Sequence, residues 1–268
     1  MNTEITDNIG ASRRSFAPAS LQRHPFAVSA FFRHSLVLTY ALPPPILEPL
    51  LPPGLTLDTH NGSGFVAIAM VQTESLRPSC CPKMLGQNFF LSGYRIFARY
   101  KTRAGRTLRG LQILRSDTDR RLMVGFGNRL THYNYRLAKV RVQELADRLE
   151  IQVQTPNAEA DLHVVADLRA HPVAPPVGSP FRDFREARLF AGPLPFTFDY
   201  EARTHSIVMI EGVRREWKPV PVNVEILQRT FFDQPAFRGA KPIFANAFHV
   251  ENIPYRWKRG VLERLADP

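Results

Sequence analysis

The sequence predicts a mainly β fold of the α+β type, in which an antiparallel β-barrel or sandwich carries a few short helices. Many short segments alternate apolar and polar residues or are continuously apolar, as strands do. Helical patterns are few, and 23 prolines interrupt the chain of 268 residues at short intervals. Because 44% of the residues are hydrophobic, a chain of this length can bury a large core without disulfides or metals.

The beginning of the chain divides into a tail and the start of a domain. Residues 1–24 are polar and have no periodicity, which predicts a flexible N-terminal tail, and residues 25–268 are expected to form a single domain. Ser35 to Leu42 is a continuous apolar run, typical of a strand buried on both faces. The proline-rich segment 43–54 that follows has room for one helical turn.

Two hairpins are predicted next. Residues 55–72 contain two apolar runs on either side of the turn sequence NGSG at 61–64. Residues 89–100 and 107–115 form the second hairpin, with Ala104-Gly105 at its turn. Both hairpins would contribute antiparallel strands to one sheet.

The rest of the chain combines further strands with two helices. Strands are predicted at residues 140–143, 149–154, 206–211 and 220–226. In the last of these, Val220, Val222, Val224 and Ile226 would share one face. Helices are predicted from Asp117 to about Gly127 and from Phe181 to Phe190, and the proline-rich segment 171–180 is expected to be a connector.

The charge of the chain is strongly basic but dispersed. There are 35 basic and 24 acidic residues, a net charge of +11, and 29 of the basic residues are arginines spread along the sequence. Nucleic-acid binding usually needs a clustered basic patch, so we expect no nucleic-acid partner. The alternative, a binder of DNA or of an acidic partner driven by the net charge, would show salt-sensitive retention on DNA or heparin.

We expect a cytoplasmic protein, because the sequence shows neither a targeting signal nor a disulfide framework. The first 20 residues lack the apolar core of a signal peptide, and the apolar stretch from Phe26 to Leu42 is interrupted by Arg33 and His34. It is too short and too polar to span a bilayer, so no membrane association is expected. The adjacent Cys80 and Cys81 form no disulfide framework.

Common cofactor and metal motifs are absent from the sequence. It contains no phosphate loop, no dinucleotide fingerprint, no HExxH zinc motif and no GxSxG nucleophile elbow. We therefore expect no cofactor and no metal ion.

The densest polar chemistry lies in residues 115–135, RSDTDRRLMVGFGNRLTHYNY. Ser116 or Asp117 would cap a helix, which Gly125 and Gly127 would end. Asn128 and Arg129 would then lie in the loop beyond it, where binding sites are often built. The alternative interpretation is a helix cap followed by surface arginines.

The same segment carries a family resemblance. GFGNRL at 125–130 resembles the GFPKKL-type motif of acetoacetate decarboxylases. The wider chain resembles the YqjF-like family, domain of unknown function 2071, of the acetoacetate decarboxylase-like superfamily. The supporting stretches are LPPGLTLDTHNGSGFVAIA at 51–69, GYRIFARY at 93–100, residues 115–135, FREARLF at 184–190 and EWKP at 216–219. The resemblance covers about residues 50–230 and implies a β-barrel or double-sheet cone that encloses a cavity.

The resemblance also implies that catalytic side chains of the family are missing from this sequence. Decarboxylases of the superfamily use a Schiff-base lysine whose pKa is lowered by a second, adjacent lysine. The matching positions here are Asn128, whose amide cannot condense with a ketone, and Arg129, which stays protonated. The position of the family's glutamate matches Leu91.

The polar residues that remain in the implied cavity suit the binding of an anionic small molecule, a carboxylate or a carbonyl compound. The candidate binding residues are Arg95, Arg115, Asp117, Asn128, Arg129 and His132. Arg95 shares a strand face with Leu91 and Gly93, and also with Arg99, so an exposed basic stripe is the alternative.

Two questions stay open at this point. Lys218 could replace the missing lysine in a decarboxylase-like lyase, because it would share the inward face of Val220 and Val222. Its position beside Trp217 equally allows it to reach the rim. Whether a reaction is catalysed, and in which oligomeric state, is not determined by the sequence.

Overall fold

The computed structural model describes residues 21–169, 174–192 and 194–266. The strands are β1 (Val28–Leu42), β2 (Leu55–Leu57), β3 (Gly64–Pro78), β4 (Gln87–Lys101), β5 (Thr107–Thr118), β6 (Tyr135–Leu137), β7 (Lys139–Leu145), β8 (Arg148–Gln154), β9 (Leu162–Asp167), β10 (Phe196–Glu201), β11 (Ser206–Arg214), β12 (Val220–Pro221), β13 (Asn223–Arg229), β14 (Ile243–Trp257) and β15 (Val261–Arg264). The α-helices are α1 (Pro44–Leu47), α2 (Arg121–Leu130) and α3 (Phe184–Ala191). The predicted mainly β class with few short helices is confirmed.

Seven strands close into a ring. Their order is β14-β1-β3-β4-β5-β10-β11, and β11 pairs back with β14 through Gly212–Trp257 and Arg214–Tyr255. Neighbours in the ring are antiparallel except for β5 and β10, which run parallel. The ring therefore has an inner and an outer face along each of its strands.

A second sheet, in the order β13-β9-β8-β7, covers part of the outer face. The main apolar core lies between the two. It contains Leu36, Leu38 and Ile68 from the ring, and Ile151 and Val164 from the second sheet. Because strand side chains alternate, the residues between these positions in the ring strands point inward. This double burial explains the continuous apolar run predicted for Ser35 to Leu42.

The predicted hairpins have different outcomes. Strands β4 and β5 form the hairpin expected from residues 89–115, and Gly105 adopts a positive φ of 81° at its turn. The hairpin expected from residues 55–72 is wrong, because β2 and β3 do not pair with each other. Both pair with the same edge of β4, which is 15 residues long and accommodates them one after the other.

Two other predicted elements have different boundaries. The strand expected over residues 220–226 divides at Val222, so that β12 pairs with β14 while β13 pairs with β9 of the second sheet. The segment thereby crosses between the sheets, and Val220 is exposed while Val222 is buried. The helix expected from Asp117 begins only at Arg121, because β5 continues through Thr118.

The helix predicted over 181–190 is present as α3, and the Asp183 side chain accepts a hydrogen bond from the Glu186 amide at 2.7 Å as its N-cap. Residues 1–20 of the predicted tail and residues 171–173 of the predicted connector lie outside the described residues. Residues 21–24 lie against the body of the protein, where Arg23 pairs with Glu201 and His24 is buried. No helix in the described part of the chain is long and apolar enough to cross a membrane.

Candidate functional site

The ring encloses a cavity of about 590 Å³. The inward positions of β1, β3 and β4 line it with small and apolar side chains, among them Val37, Ala67, Ala69 and Leu91. Helix α2 and residues 24–26 contribute further apolar lining. The two alanines matter because short side chains on the inner face leave the space that larger residues would fill.

Arg95 is the central charged group of this cavity. It follows Gly93 on the inner face of β4, and a Cβ at Gly93 would lie 2.9 Å from its Nη2 and 3.0 Å from its Nε. The Arg95 Nε is buried and has no hydrogen-bond partner among the described residues. Burial lowers the pKa of Arg95, and the nearby hydroxyls of Tyr255 and Tyr133 only partly oppose this.

A second arginine, Arg214, enters the same cavity from the end of β11. Its guanidinium carbon lies 4.9 Å from the ring centre of Trp217 and 5.6 Å from that of Tyr255. Its Nη1 donates to the Tyr255 hydroxyl at 3.0 Å. Burial lowers the pKa of Arg214 as well.

A third arginine is already held by the backbone. Arg77 donates from Nε to the Cys81 carbonyl at 3.0 Å and from Nη1 to the Ser75 carbonyl at 2.8 Å. Among the described residues that line the cavity, none is an aspartate, a glutamate or a lysine. The cavity is thus largely apolar, and arginines supply the charges of its described lining.

A buried carboxyl group lies beyond the cavity wall. Thr197 of β10 lines the cavity, and Asp199, two positions further on the same face, is 1% exposed. Neither carboxyl oxygen of Asp199 has a hydrogen-bond partner among the described residues. Burial raises the pKa of Asp199 to about 7, although the nearby His132 backbone amide lowers it.

Of the six residues proposed from the sequence, Arg95 lines the cavity. The basic-stripe alternative does not hold for it, because Arg99 at the strand end is paired with Asp58, Nε to Oδ1 at 2.5 Å. The Asp58 side chain is fully buried and also forms a salt bridge with Arg109. Arg95 and Arg99 therefore have different environments on one face.

Arg115 and Asp117 lie outside the cavity lining. The pairing of β4 with β5 shifts between Tyr94 and Arg95, which leaves Leu114 as an extra residue in β5. This bulge places Ser116 on the cavity side. Arg115 instead binds Asp117 through Nε at 2.8 Å and Glu159 through Nη1 at 2.6 Å; Arg115 and Asp117 are buried, whereas the Glu159 side chain is 41% exposed.

The other three proposed residues also lie outside the lining. Asn128 is within α2, not beyond it, and its amide holds β6: Nδ2 donates to the Tyr135 carbonyl and Oδ1 accepts from the Tyr135 amide. Arg129 is exposed. Burial lowers the pKa of His132, whose Nε2 has no partner among the described residues.

Lys218 is exposed, in contrast to the inward position considered from the sequence. Its neighbours Trp217 and Pro219 line the cavity, whereas Lys218 does not. The sequence reasoning also missed Arg214, Tyr255 and Asp199. The one available signal was the pair Arg214 and Trp217 beside the family-like EWKP stretch.

Among the described residues, no three histidine, cysteine, aspartate or glutamate side chains are grouped so that they could hold a metal ion.

Comparison with known proteins gives a family and a fold. The family model DUF2071, described as an uncharacterized conserved protein, matches residues 29–251. No curated protein has a matching sequence.

Among solved structures, an acetoacetate decarboxylase-like enzyme from Sphingomonas wittichii is similar with a TM-score of 0.59 and 11% identity, over 90% of this chain and 94% of that one. Acetoacetate decarboxylase from Legionella pneumophila is similar with a TM-score of 0.58 and 14% identity, over 98% and 99%. The enduracididine biosynthesis enzyme MppR complexed with pyruvate has a TM-score of 0.54 and 12% identity, over 94% and 93%. At these identities the likeness shows the acetoacetate decarboxylase-like fold.

Proposed function

Because the chain belongs to the DUF2071 family of uncharacterized conserved proteins, and its fold encloses an apolar cavity containing arginines, we propose that it binds a small organic carboxylate there. The binding would be non-covalent, since no lysine lines the cavity. The cavity volume of about 590 Å³ is in the usual range for small-molecule sites.

The observation that carries this proposal is the unpaired Arg95 guanidinium. Taking a cation out of water costs several kcal/mol when no counter-charge compensates it. A bound carboxylate would supply that counter-charge and accept two parallel hydrogen bonds from the guanidinium. The surrounding apolar side chains would bury the hydrocarbon part of the ligand.

The comparisons are compatible with this proposal. MppR, which shares the fold, is complexed with pyruvate, a small keto acid. In the present chain Leu91 lines the cavity at the position matched to the family's glutamate, and α2 holds Asn128 and Arg129 at the positions matched to its lysines. These differences favour binding without Schiff-base chemistry.

The test compares carboxylates with neutral amides of the same shape. Thermal unfolding is followed with acetate, hexanoate and phenylacetate, and with their amides, for the wild type, Arg95→Met and Arg129→Met. We expect the best carboxylate to raise Tm and its amide to have little effect. Arg95→Met should weaken carboxylate binding by about 10- to 100-fold, the equivalent of a charged hydrogen bond.

Arg129→Met is the matched control, because it removes an exposed arginine and should leave binding unchanged. Arg95→Met should also raise the Tm of the free protein, since it removes a half-buried guanidinium whose Nε is buried without a partner among the described residues. The proposal is wrong if no carboxylate stabilises the protein, if the amides act equally well, or if Arg95→Met binds like the wild type.

A further inference from the structure

Two of the arginines that line the cavity have neither a carboxylate nor a backbone carbonyl as partner among the described residues. Arg95 and Arg214 both line it, and neither has an ion-pair partner among the described residues. Arg77 differs from them, because two of its nitrogens are already bound to backbone carbonyls. Arg95 and Arg214 are therefore the two guanidinium groups most in need of an external anion.

Tyr255 connects these two arginines. Its hydroxyl accepts a hydrogen bond from Arg214, and the same side chain acts electrostatically on Arg95. Gly212 makes this position of Tyr255 possible, because a Cβ at Gly212 would lie 2.8 Å from the tyrosine Cζ. The tyrosine ring also stacks on Phe32 with a centroid distance of 4.7 Å. Arg214 is thus held in place by a rigid aromatic group rather than by an acid.

The cavity lining that the two arginines share is largely apolar. Val37, Ala69 and Val71 line the same cavity from β1 and β3. A hydrocarbon spacer makes no hydrogen bonds to water, so it loses none when it moves onto such a surface. A polar spacer would leave its hydrogen bonds unmade there.

Resting on the function proposed above, we infer that the ligand is a small dicarboxylate, with one carboxylate on Arg95 and the other on Arg214. The hydrocarbon segment between the carboxylates lies against the apolar lining. Each negative charge then meets a guanidinium that has no acidic partner in the cavity wall. A monocarboxylate satisfies Arg95 alone and leaves Arg214 uncompensated.

The experiment measures how strongly the cavity prefers two charges to one. Affinities of succinate, glutarate, adipate, pimelate and suberate are compared by calorimetry with those of their half-amides. In the wild type we expect the dicarboxylate of the best length to bind at least tenfold tighter than its half-amide. Arg214→Met should abolish this preference and leave the half-amide affinity nearly unchanged.

The ratio of the dicarboxylate affinity to the half-amide affinity distinguishes a binding role of Arg214 from a structural one. If Arg214 only supported Trp217 and Tyr255, its replacement would weaken both ligands equally. Arg214→Lys keeps a positive charge and should retain part of the preference. It provides the same comparison if Arg214→Met does not fold, and Arg129→Met serves as the surface control.

The inference is overturned if the wild type does not prefer the dicarboxylates, or if Arg214→Met retains the preference. It is also overturned if one carboxylate is held by both arginines, in which case the half-amide loses as much affinity as the dicarboxylate in Arg214→Met. Failure of the underlying proposal looks different, because Arg95→Met would then change neither the dicarboxylate nor the half-amide affinity.

Discussion

Gly93 provides the space that the Arg95 guanidinium occupies. In Gly93→Ala the new methyl group would lie 2.9 Å from Nη2, so the flexible arginine must move. We expect at least a tenfold loss of carboxylate affinity with only a small change in Tm, because the long side chain can shift at low cost. Calorimetry and thermal unfolding of the same preparation measure both effects. Unchanged affinity would mean that the observed guanidinium position is not needed for binding.

Asp199 predicts a specific pH dependence of stability. Its carboxyl has a pKa of about 7 in the folded protein, whereas an aspartate in an unfolded chain titrates at about 4. Between these values the folded protein holds a proton that the unfolded chain has released, so stability falls as the pH rises through this window. The slope from this group is about 1.4 kcal/mol per pH unit.

Asp199→Asn stays neutral at every pH and should remove this part of the slope. Urea unfolding at pH 5, 6, 7 and 8 checks it, and the variant should gain most over the wild type at pH 8. Equal pH profiles for the two proteins would contradict the assigned ionisation.

Individual residues were predicted from the sequence with mixed success, and the misses have different causes. Arg95 lines the cavity because a regular strand carries it inward with Gly93. Asp117 was expected to cap a helix, but β5 continues through Thr118, and its extra residue changes the face on which Arg115 and Asp117 lie. Asn128 and Arg129 were expected beyond a helix that ends at its glycines, but α2 continues to Leu130. Arg214 could not be identified because its neighbour Tyr255 is distant in sequence and meets it only where the ring closes.

Among the elements, α2 shows how two glycines of one motif differ. A Cβ at Gly125 would meet nothing within 4 Å, whereas a Cβ at Gly127 would collide with the Tyr135 ring. Gly125→Ala should therefore stabilise the protein by about 0.5–1 kcal/mol, by reducing the freedom of the unfolded chain. Gly127→Ala should destabilise it by about 1–3 kcal/mol through overpacking.

Urea unfolding of the two variants beside the wild type measures this contrast. Each variant is the control for the other, because both add one methyl group to the same helix. A shift of the same sign in both would contradict the close approach of α2 to β6.

Local turns and caps account for two of the elements that were predicted correctly. The β4–β5 hairpin has its glycine turn, and α3 has its aspartate cap. The 55–72 hairpin and the 220–226 strand were wrong for a non-local reason. Their turns and alternation are present, but the pairing partner is chosen by the edges available in β4, β14 and β9.

At the scale of the whole molecule, the absence of a cavity lysine predicts no covalent chemistry with keto acids. Incubation with acetoacetate and borohydride, followed by intact-mass measurement, should give no stoichiometric adduct. An adduct that disappears in Lys218→Ala would instead restore the lyase alternative, in spite of the exposed position of this lysine. The mainly β class could be recognised from the sequence, and the family resemblance implied a barrel or cone with a cavity, whereas the order of the strands that close the ring depends on contacts between distant strands.

The closure of the ring has a consequence for synthesis of the chain. Val28 of β1 pairs with Trp257 of β14, so β1 cannot complete its pairing until β14 has been synthesised. During translation β1 and β3 are made early, and the edge of β1 stays open until β14 has left the ribosome. Such long-range pairing slows folding and leaves strand edges open to aggregation in the meantime. The nascent chain therefore has no ligand cavity, and a molecule that binds the finished ring acts only after translation has passed residue 257.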